Sequence, residues 1–168
     1  LKLDYVKYVI SGGDSLTPEL ANKINNYLEI KGSKAKVSQG YGLTESTAAV
    51  ALALNDYNFE GSIGIPFPLN YIKIFKPHTQ EELPYGEEGE IILSVPTVMK
   101  EYTNHPEETA ETLHKDEFGT IWLHTGDLCY MDEEGYIYFR GRIKRLIVTS
   151  GYNVYPSQIE NIIEKHRS

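Results

Sequence analysis

Two runs in the first third of the chain combine glycine with groups that can hold a phosphate ester. Gln39-Gly40-Tyr41-Gly42-Leu43-Thr44-Glu45 sets an aromatic ring between two glycines, then a hydroxyl, then a carboxylate. A ring flanked by residues without side chains offers an open face on which a base can stack, an interaction of roughly 1–3 kcal/mol. Thr44 supplies a hydroxyl for a phosphate, and Glu45 a hard oxygen for Mg²⁺, which binds through one or two carboxylates plus substrate phosphates. The same residues have a plainer use, with Tyr41 in a core and Thr44 as a helix cap. Upstream, Ser11-Gly12-Gly13-Asp14 lets a backbone approach a flat ligand closely, and serves equally as a turn from strand to helix.

The second half holds an acid and a base whose separation matters. Asp132-Glu133-Glu134-Gly135 is a turn signal between two strand patterns. Pairing those strands symmetrically about the turn brings Asp127 opposite Arg140 or Gly141, beside Arg142. Such a couple is either a surface ion pair of little energetic weight or a ribose grip. In the grip, the carboxylate accepts from the sugar hydroxyls and the guanidinium donates to the sugar or its phosphate. Residues 150–156 read as a connection leading to a helix.

These residues need a frame. Residues 5–10 are apolar and β-rich and end at the first glycine pair. Thr17 caps a helix with Pro18 at its first position and Glu19 near its positive end. Leu16, Leu20, Ile24 and Leu28 give that helix one buried face, and Gly32 stops it. A second strand over residues 35–38 leads into the Gln39 run, so both glycine turns fall at strand ends. Strand–helix–strand units of this length favour a parallel sheet, with ligands at the carboxyl ends of its strands. From Gly61 the pattern changes to short strands at residues 71–75, 89–93, 121–123, 128–131 and 136–139, interrupted by one short helix from Pro106. The chain ends on a strand at residues 146–149, a loop through Gly151 and a helix from Pro156. The fold class is therefore α/β followed by β. Residues 1–60 read as the end of an α/β subdomain with a parallel sheet, and residues 61–141 as a small distorted antiparallel β-barrel. Residues 142–168 read as a hinge and the start of an α+β domain.

Composition narrows the partners. Sixteen basic and 24 acidic residues leave a net charge of −8 over 168 residues, which repels nucleic-acid backbones and anionic lipids. No apolar run approaches the roughly 20 residues of a membrane-spanning helix, and no signal peptide opens the sequence. The single cysteine, Cys129, forms no intramolecular disulfide and fits a reducing cytoplasm.

In their order along the chain these runs resemble the adenylate-forming superfamily of acyl-CoA synthetases, luciferases and peptide-synthetase adenylation domains. The segments are Ser11-Gly12-Gly13-Asp14-Ser15-Leu16, Tyr41-Gly42-Leu43-Thr44-Glu45, Gly61-Ser62-Ile63-Gly64-Ile65-Pro66 and Gly89-Glu90-Ile91. They continue as Pro96-Thr97-Val98-Met99, Trp122-Leu123-His124-Thr125-Gly126-Asp127-Leu128 and Gly141-Arg142-Ile143-Lys144. The resemblance implies a two-step reaction. A carboxylate attacks the α-phosphorus of ATP, releasing pyrophosphate, and a thiol then displaces AMP from the acyl-adenylate. It implies that Gly13, Asp14 and Ser15 line the adenine and that Tyr41 stacks on it. Gln39, Gly40, Gly42 and Leu43 complete that binding run. Thr44 contacts phosphate and Glu45 binds Mg²⁺, the two residues closest to catalysis. Asp127 holds the ribose beside Arg142. Lys144 matches the hinge of a rotating C-terminal domain, and Gly151 a loop that meets the thiol substrate. The hinge lysine and residues 144–160 are more similar to acyl-CoA ligases, fatty-acyl-CoA synthetases above all, than to peptide-synthetase domains.

The implied substrates are a small-molecule carboxylate, ATP and coenzyme A, and the oligomeric state stays unread. The alternatives are loading of a carrier protein, or a nucleotide-binding or interaction module without catalysis. Ser94-Val95 and Lys100-Glu101-Tyr102 depart from the family's usual residues. The family's phosphate loop belongs upstream of Leu1 and its adenylation lysine downstream of Ser168, so negligible ligase activity is expected of this chain alone. Gly64, Ser46, Thr47 and Ala48 fall near the expected acyl-pocket wall. Self-association or partner contacts are expected through apolar faces at Val6, Val9, Ile24 and Val37.

Overall fold

The structure is a computed structural model that describes residues 1–14, 16–54, 58–149, 152–156, 159 and 162–163. Strand β1 (Val9–Ser11) is followed by helix α1 (Pro18–Ile30) and strand β2 (Val37–Leu43). The helix begins where the sequence says. The Leu20 N–H donates to Thr17 Oγ1 at 3.3 Å, and Pro18 stands where its missing N–H costs nothing. β1 and β2 pair in parallel, Ser11 opposite Gln39. The rest of this sheet is antiparallel, with β3 (Ala48–Leu52) and β4 (Ile65–Pro66) added in chain order.

One reading is corrected here. The glycines of Gln39-Gly40-Tyr41-Gly42 form no turn; β2 continues through them, with a shift in its pairing to β3 between Tyr41 and Gly42. A Cβ at Gly42 would lie 2.1 Å from the Ala48 carbonyl oxygen, so the glycine serves the close approach of β3.

The second sheet contains β5 (Tyr71–Phe75), β6 (Gly89–Ser94), β7 (Leu113–Lys115), β8 (Ile121–Met131) and β9 (Ile137–Arg142). Helix α2 (Pro106–Thr112) precedes β7. All its pairings are antiparallel. β6 lies between β5 and β8, while the other edge of β8 takes β7 at one end and β9 at the other. The sheet is antiparallel as expected, but it is open where a small distorted barrel was expected: among the described residues β5 finds no partner across from β7 or β9. The two strands read at residues 121–123 and 128–131 are one bent strand, β8. A bridge from Gly64 to Ile137 ties the two sheets. One core spans both, built from Val50, Ile63, Ile91, Leu93, Leu123 and Ile137, each 6% exposed or less. After a short 3₁₀ turn at Ile143–Arg145, strands β10 (Ile147–Thr149) and β11 (Tyr152–Val154) form a small antiparallel pair. The helix read from Pro156 lies mostly outside the described residues.

The apolar surface differs from expectation in its residues. Val37 is buried and Val6, Val9 and Ile24 are half-buried, while Tyr8, Ile10, Leu20, Tyr27 and Ile30 face solvent. No described helix is long and apolar enough to cross a membrane.

Candidate functional site

Four segments converge at the carboxyl ends of β1 and β2. Ser11 pairs with Gln39, so Gly12 and Gly13 pass beside Gly40; a Cβ on Gly12 would sit 3.6 Å from the Gly40 carbonyl oxygen. Gly13 has φ +87° and open space where a side chain would be. Asp14 is exposed at this rim, and Ser15 lies outside the described residues.

Asp127 comes from β8. It pairs with Arg142 itself, one residue beyond the symmetric expectation, because the β8–β9 register shifts between Leu128 and Cys129. The Tyr41 hydroxyl donates to Asp127 Oδ2 at 2.7 Å. Arg142 Nε lies 3.2 Å from Oδ1, yet Oδ1 is buried and has no hydrogen-bond partner. The guanidinium is near in distance but not aimed. Its side chain is 68% exposed against 6% for Asp127, so it can swing away at little cost. Burial raises the Asp127 pKa above the ordinary aspartate range. The Tyr41 bond and the Arg142 charge pull it down, while Glu45 and Glu90 add to the rise.

Tyr41, Asp127 and Arg142 therefore share one compartment, as the sequence suggests, but not as a sandwich. The Tyr41 ring is only 9% exposed and belongs to the core, its centroid 6.5 Å from that of Phe139. The expected open stacking face is absent because β2 continues as a strand and turns this ring inward. Burial, then the Asp127 charge, pushes the Tyr41 pKa well up, so the hydroxyl stays a donor.

Thr44 and Glu45 open a 3₁₀ turn, Thr44–Ser46, after β2. Thr44 is exposed and Glu45 half-buried. The turn is stitched to the segment after β6. Met99 N–H donates to the Glu45 carbonyl at 2.7 Å, and the Tyr102 hydroxyl donates to Glu45 Oε1 at 2.6 Å. Ser46 is fully buried and its hydroxyl is spent on the Leu43 and Ala48 carbonyls; Gly64 is buried, and Thr47 and Ala48 are exposed. Among the described residues no group of three His, Cys, Asp or Glu could hold a metal alone. One fixed carboxylate fits a Mg²⁺ held mainly by phosphates and water. Lys144 is exposed in the turn after β9, and Gly151 lies outside the described residues. An open groove of about 510 Å³ beside Lys73 and Trp122 lies elsewhere, on the second sheet.

Sequence reasoning gave Tyr102 and Glu90 no role. Each had a signal: Tyr102 sits in a departure from the usual family residues, and Glu90 is a charge heading the apolar run Ile91-Ile92-Leu93. Neither signal names a partner far along the chain.

Comparison with known proteins places the chain in a family. The family model described as AMP-binding enzyme matches residues 2–103. A long-chain-fatty-acid–CoA ligase of Bacillus subtilis is 38% identical over 99% of this chain and 28% of its own length. The ATP-bound structure of MatB from Rhodopseudomonas palustris superposes with a TM-score of 0.80 at 31% identity, over 95% of this chain and 30% of that one. O-succinylbenzoate CoA synthetase from Bacillus subtilis, solved with its acyl-adenylate OSB-AMP, gives 0.80 and 31%, over 96% and 31%. The chain thus spans under a third of the relatives it matches. It is a member of the AMP-binding enzyme family.

Proposed function

We propose that this chain supplies the nucleoside grip of an ATP-dependent carboxylate–CoA ligase, with Asp127 as the acceptor for the ribose hydroxyls of AMP. The observation that carries the reading is Asp127 Oδ1. A buried carboxylate oxygen without a hydrogen-bond partner costs about 1–3 kcal/mol, and a ligand hydroxyl would relieve that cost. Tyr41 holds the other oxygen, so the carboxylate is oriented before the ligand arrives. Arg142 turns from Oδ1 to the sugar or phosphate side as the ribose enters.

Gly12, Gly13 and Asp14 form the rim where a purine lies against backbone, Ser15 being the next residue of that run in the sequence, and Gln39, Gly40, Gly42 and Leu43 form the floor beside it. Tyr41 anchors Asp127 rather than stacking on the base. Thr44 offers its hydroxyl to the α-phosphate, and Glu45, fixed by Tyr102, is the protein ligand for Mg²⁺. When bound, that ion would reduce the repulsion between two anionic reactants. No protein nucleophile is needed, because positioning and charge neutralisation carry the chemistry. Lys144 acts as the hinge and Gly151 as part of the loop that meets coenzyme A. The division at residues 1–60, 61–141 and 142–168 and a cytoplasmic location belong to the same proposal.

The test is product analysis with the longer protein that contains this segment. Given ATP, Mg²⁺, a panel of fatty and aryl acids and coenzyme A, it releases AMP and pyrophosphate in step with acyl-CoA, and Asp127→Ala suppresses both. ADP as product, or acyl transfer only to a carrier protein, defeats the reading.

A further inference from the structure

Near the grip lies a buried charge that the proposed nucleotide contacts do not use. Glu90, on β6, is 7% exposed and precedes Ile91, Ile92 and Leu93, which are buried to 1% or less. A carboxylate in such a place is costly unless its oxygens are bonded. Both are. Oε2 lies 3.1 Å from His124 Nδ1, and Oε1 accepts the Gly126 N–H at 2.9 Å. His124 is itself packed against His114, ring centroids 4.2 Å apart.

The bond to Gly126 falls at an irregularity in the sheet. Glu90 pairs with Leu128 and Ile92 with His124, so Ile91 alone faces Thr125, Gly126 and Asp127. β8 carries the excess as a bulge, and Gly126 takes φ +70° within it. Thr125 closes the other side: its hydroxyl donates to the Ile91 carbonyl at 2.7 Å and accepts the Asp127 N–H at 3.0 Å. The backbone just before Asp127 is therefore pinned twice to β6, and the direction of its carboxylate follows.

We propose that Glu90 is a positioning residue for the nucleotide grip: it touches no ligand, and it holds the β8 bulge in the shape that aims Asp127 at the ribose. This rests on the reading of Asp127 given above. Among the described residues, the ionisable groups acting on Asp127 are Tyr41 from β2, Glu45 from the turn after β2, Arg142 from β9, Glu90 from β6 and, on β8 itself, the buried thiol of Cys129. Glu90 in turn faces His124 and His78; burial pushes its pKa up, but the His124 and Gly126 bonds and the two histidine charges outweigh this and leave it lowered.

The test measures AMP affinity of the full 168-residue chain by NMR titration, for the wild type, Glu90→Ala, Glu90→Gln, Asp127→Ala and the Glu90→Ala/Asp127→Ala double variant. Glutamine keeps an oxygen for Gly126 and presents an amide to His124. Glu90→Ala weakens AMP about tenfold, the equivalent of one buried N–H left unbonded. Glu90→Gln recovers most of that loss, and Glu90→Ala adds nothing once Asp127 is gone. Glutamine also moves the acid midpoint of AMP binding to lower pH, because one anion beside Asp127 has been removed; a purely structural role would leave that midpoint in place. Wild-type affinity in Glu90→Ala while Asp127→Ala fails to bind overturns the inference, as do additive losses. Should Glu90→Ala not fold, Glu90→Asp, whose shorter arm cannot span to the Gly126 N–H, takes its place, and wild-type AMP affinity in that variant overturns the inference. AMP binding that survives Asp127→Ala overturns the nucleotide reading, and this inference with it.

Discussion

Replacing Tyr41 with phenylalanine removes one hydroxyl and leaves the ring, with its packing against Phe139, in place. The lost bond is short, 2.7 Å, and ends on the carboxylate of a residue that is 4% exposed. Oδ1 already lacks a partner, so the variant leaves both Asp127 oxygens unbonded. Hydrogen bonds to charged groups contribute about 1.5–3 kcal/mol, and no solvent screening reduces the figure at this depth. The expected loss at neutral pH is therefore about 2–3 kcal/mol, or a drop of about 4–12 °C in Tm for a chain of this size. Urea unfolding read by the single tryptophan, Trp122 on β8, measures it as a lower midpoint with unchanged m. The pH dependence supplies a sign. Burial raises the Asp127 pKa in the fold above its unfolded value, so protonation favours the folded chain. Loss of the Tyr41 bond raises the Asp127 pKa further, so the penalty is full above the variant's pKa, fades as pH falls through it and is gone below the wild-type one. A midpoint equal to wild type at neutral pH, or a penalty that grows on acidification, refutes the reasoning.

Gly42→Ala places a Cβ 2.1 Å from the Ala48 carbonyl oxygen and should cost about 2–3 kcal/mol or more by urea unfolding; full stability would show that β2 and β3 are further apart. Arg142→Ala should change stability by under about 1 kcal/mol, since its arm is mostly in solvent, yet weaken AMP severalfold in titration. Tyr102→Phe frees Glu45 and should weaken Mg²⁺-dependent ATP binding while leaving AMP affinity unchanged, and equal losses for both ligands would count against Glu45 as the ion's ligand. AMP affinity should decline on acidification through the raised Asp127 pKa, that is, above the ordinary aspartate value of about 3.9, and a decline only below that value would contradict the burial of this carboxylate.

Features set by neighbouring residues were readable before any coordinates. Thr17 and Pro18 announce the start of α1, and Asp132 to Gly135 announces the hairpin that brings Asp127 to the end of β9. Features set by distant contacts were not. Gly40 and Gly42 signal a turn by composition, but the demand they meet is the close approach of β3, which only pairing reveals. That continuation of β2 turns Tyr41 inward, where its hydroxyl meets a carboxylate 86 residues away. The one-residue error opposite Asp127 has the same origin, a β-bulge that no local rule locates. Glu90 was conspicuous as a charge in an apolar strand, yet its purpose depends on backbone 36 residues on.

The claim that Asp127 Oδ1 receives a ribose hydroxyl is tested most directly by comparing AMP with 2′,3′-dideoxy-AMP in the same NMR titration. The account predicts that removing the sugar hydroxyls weakens binding about tenfold or more in the wild type and has no further effect in Asp127→Ala, since the interaction is already lost there. Equal affinity of the wild-type chain for the two nucleotides would contradict it.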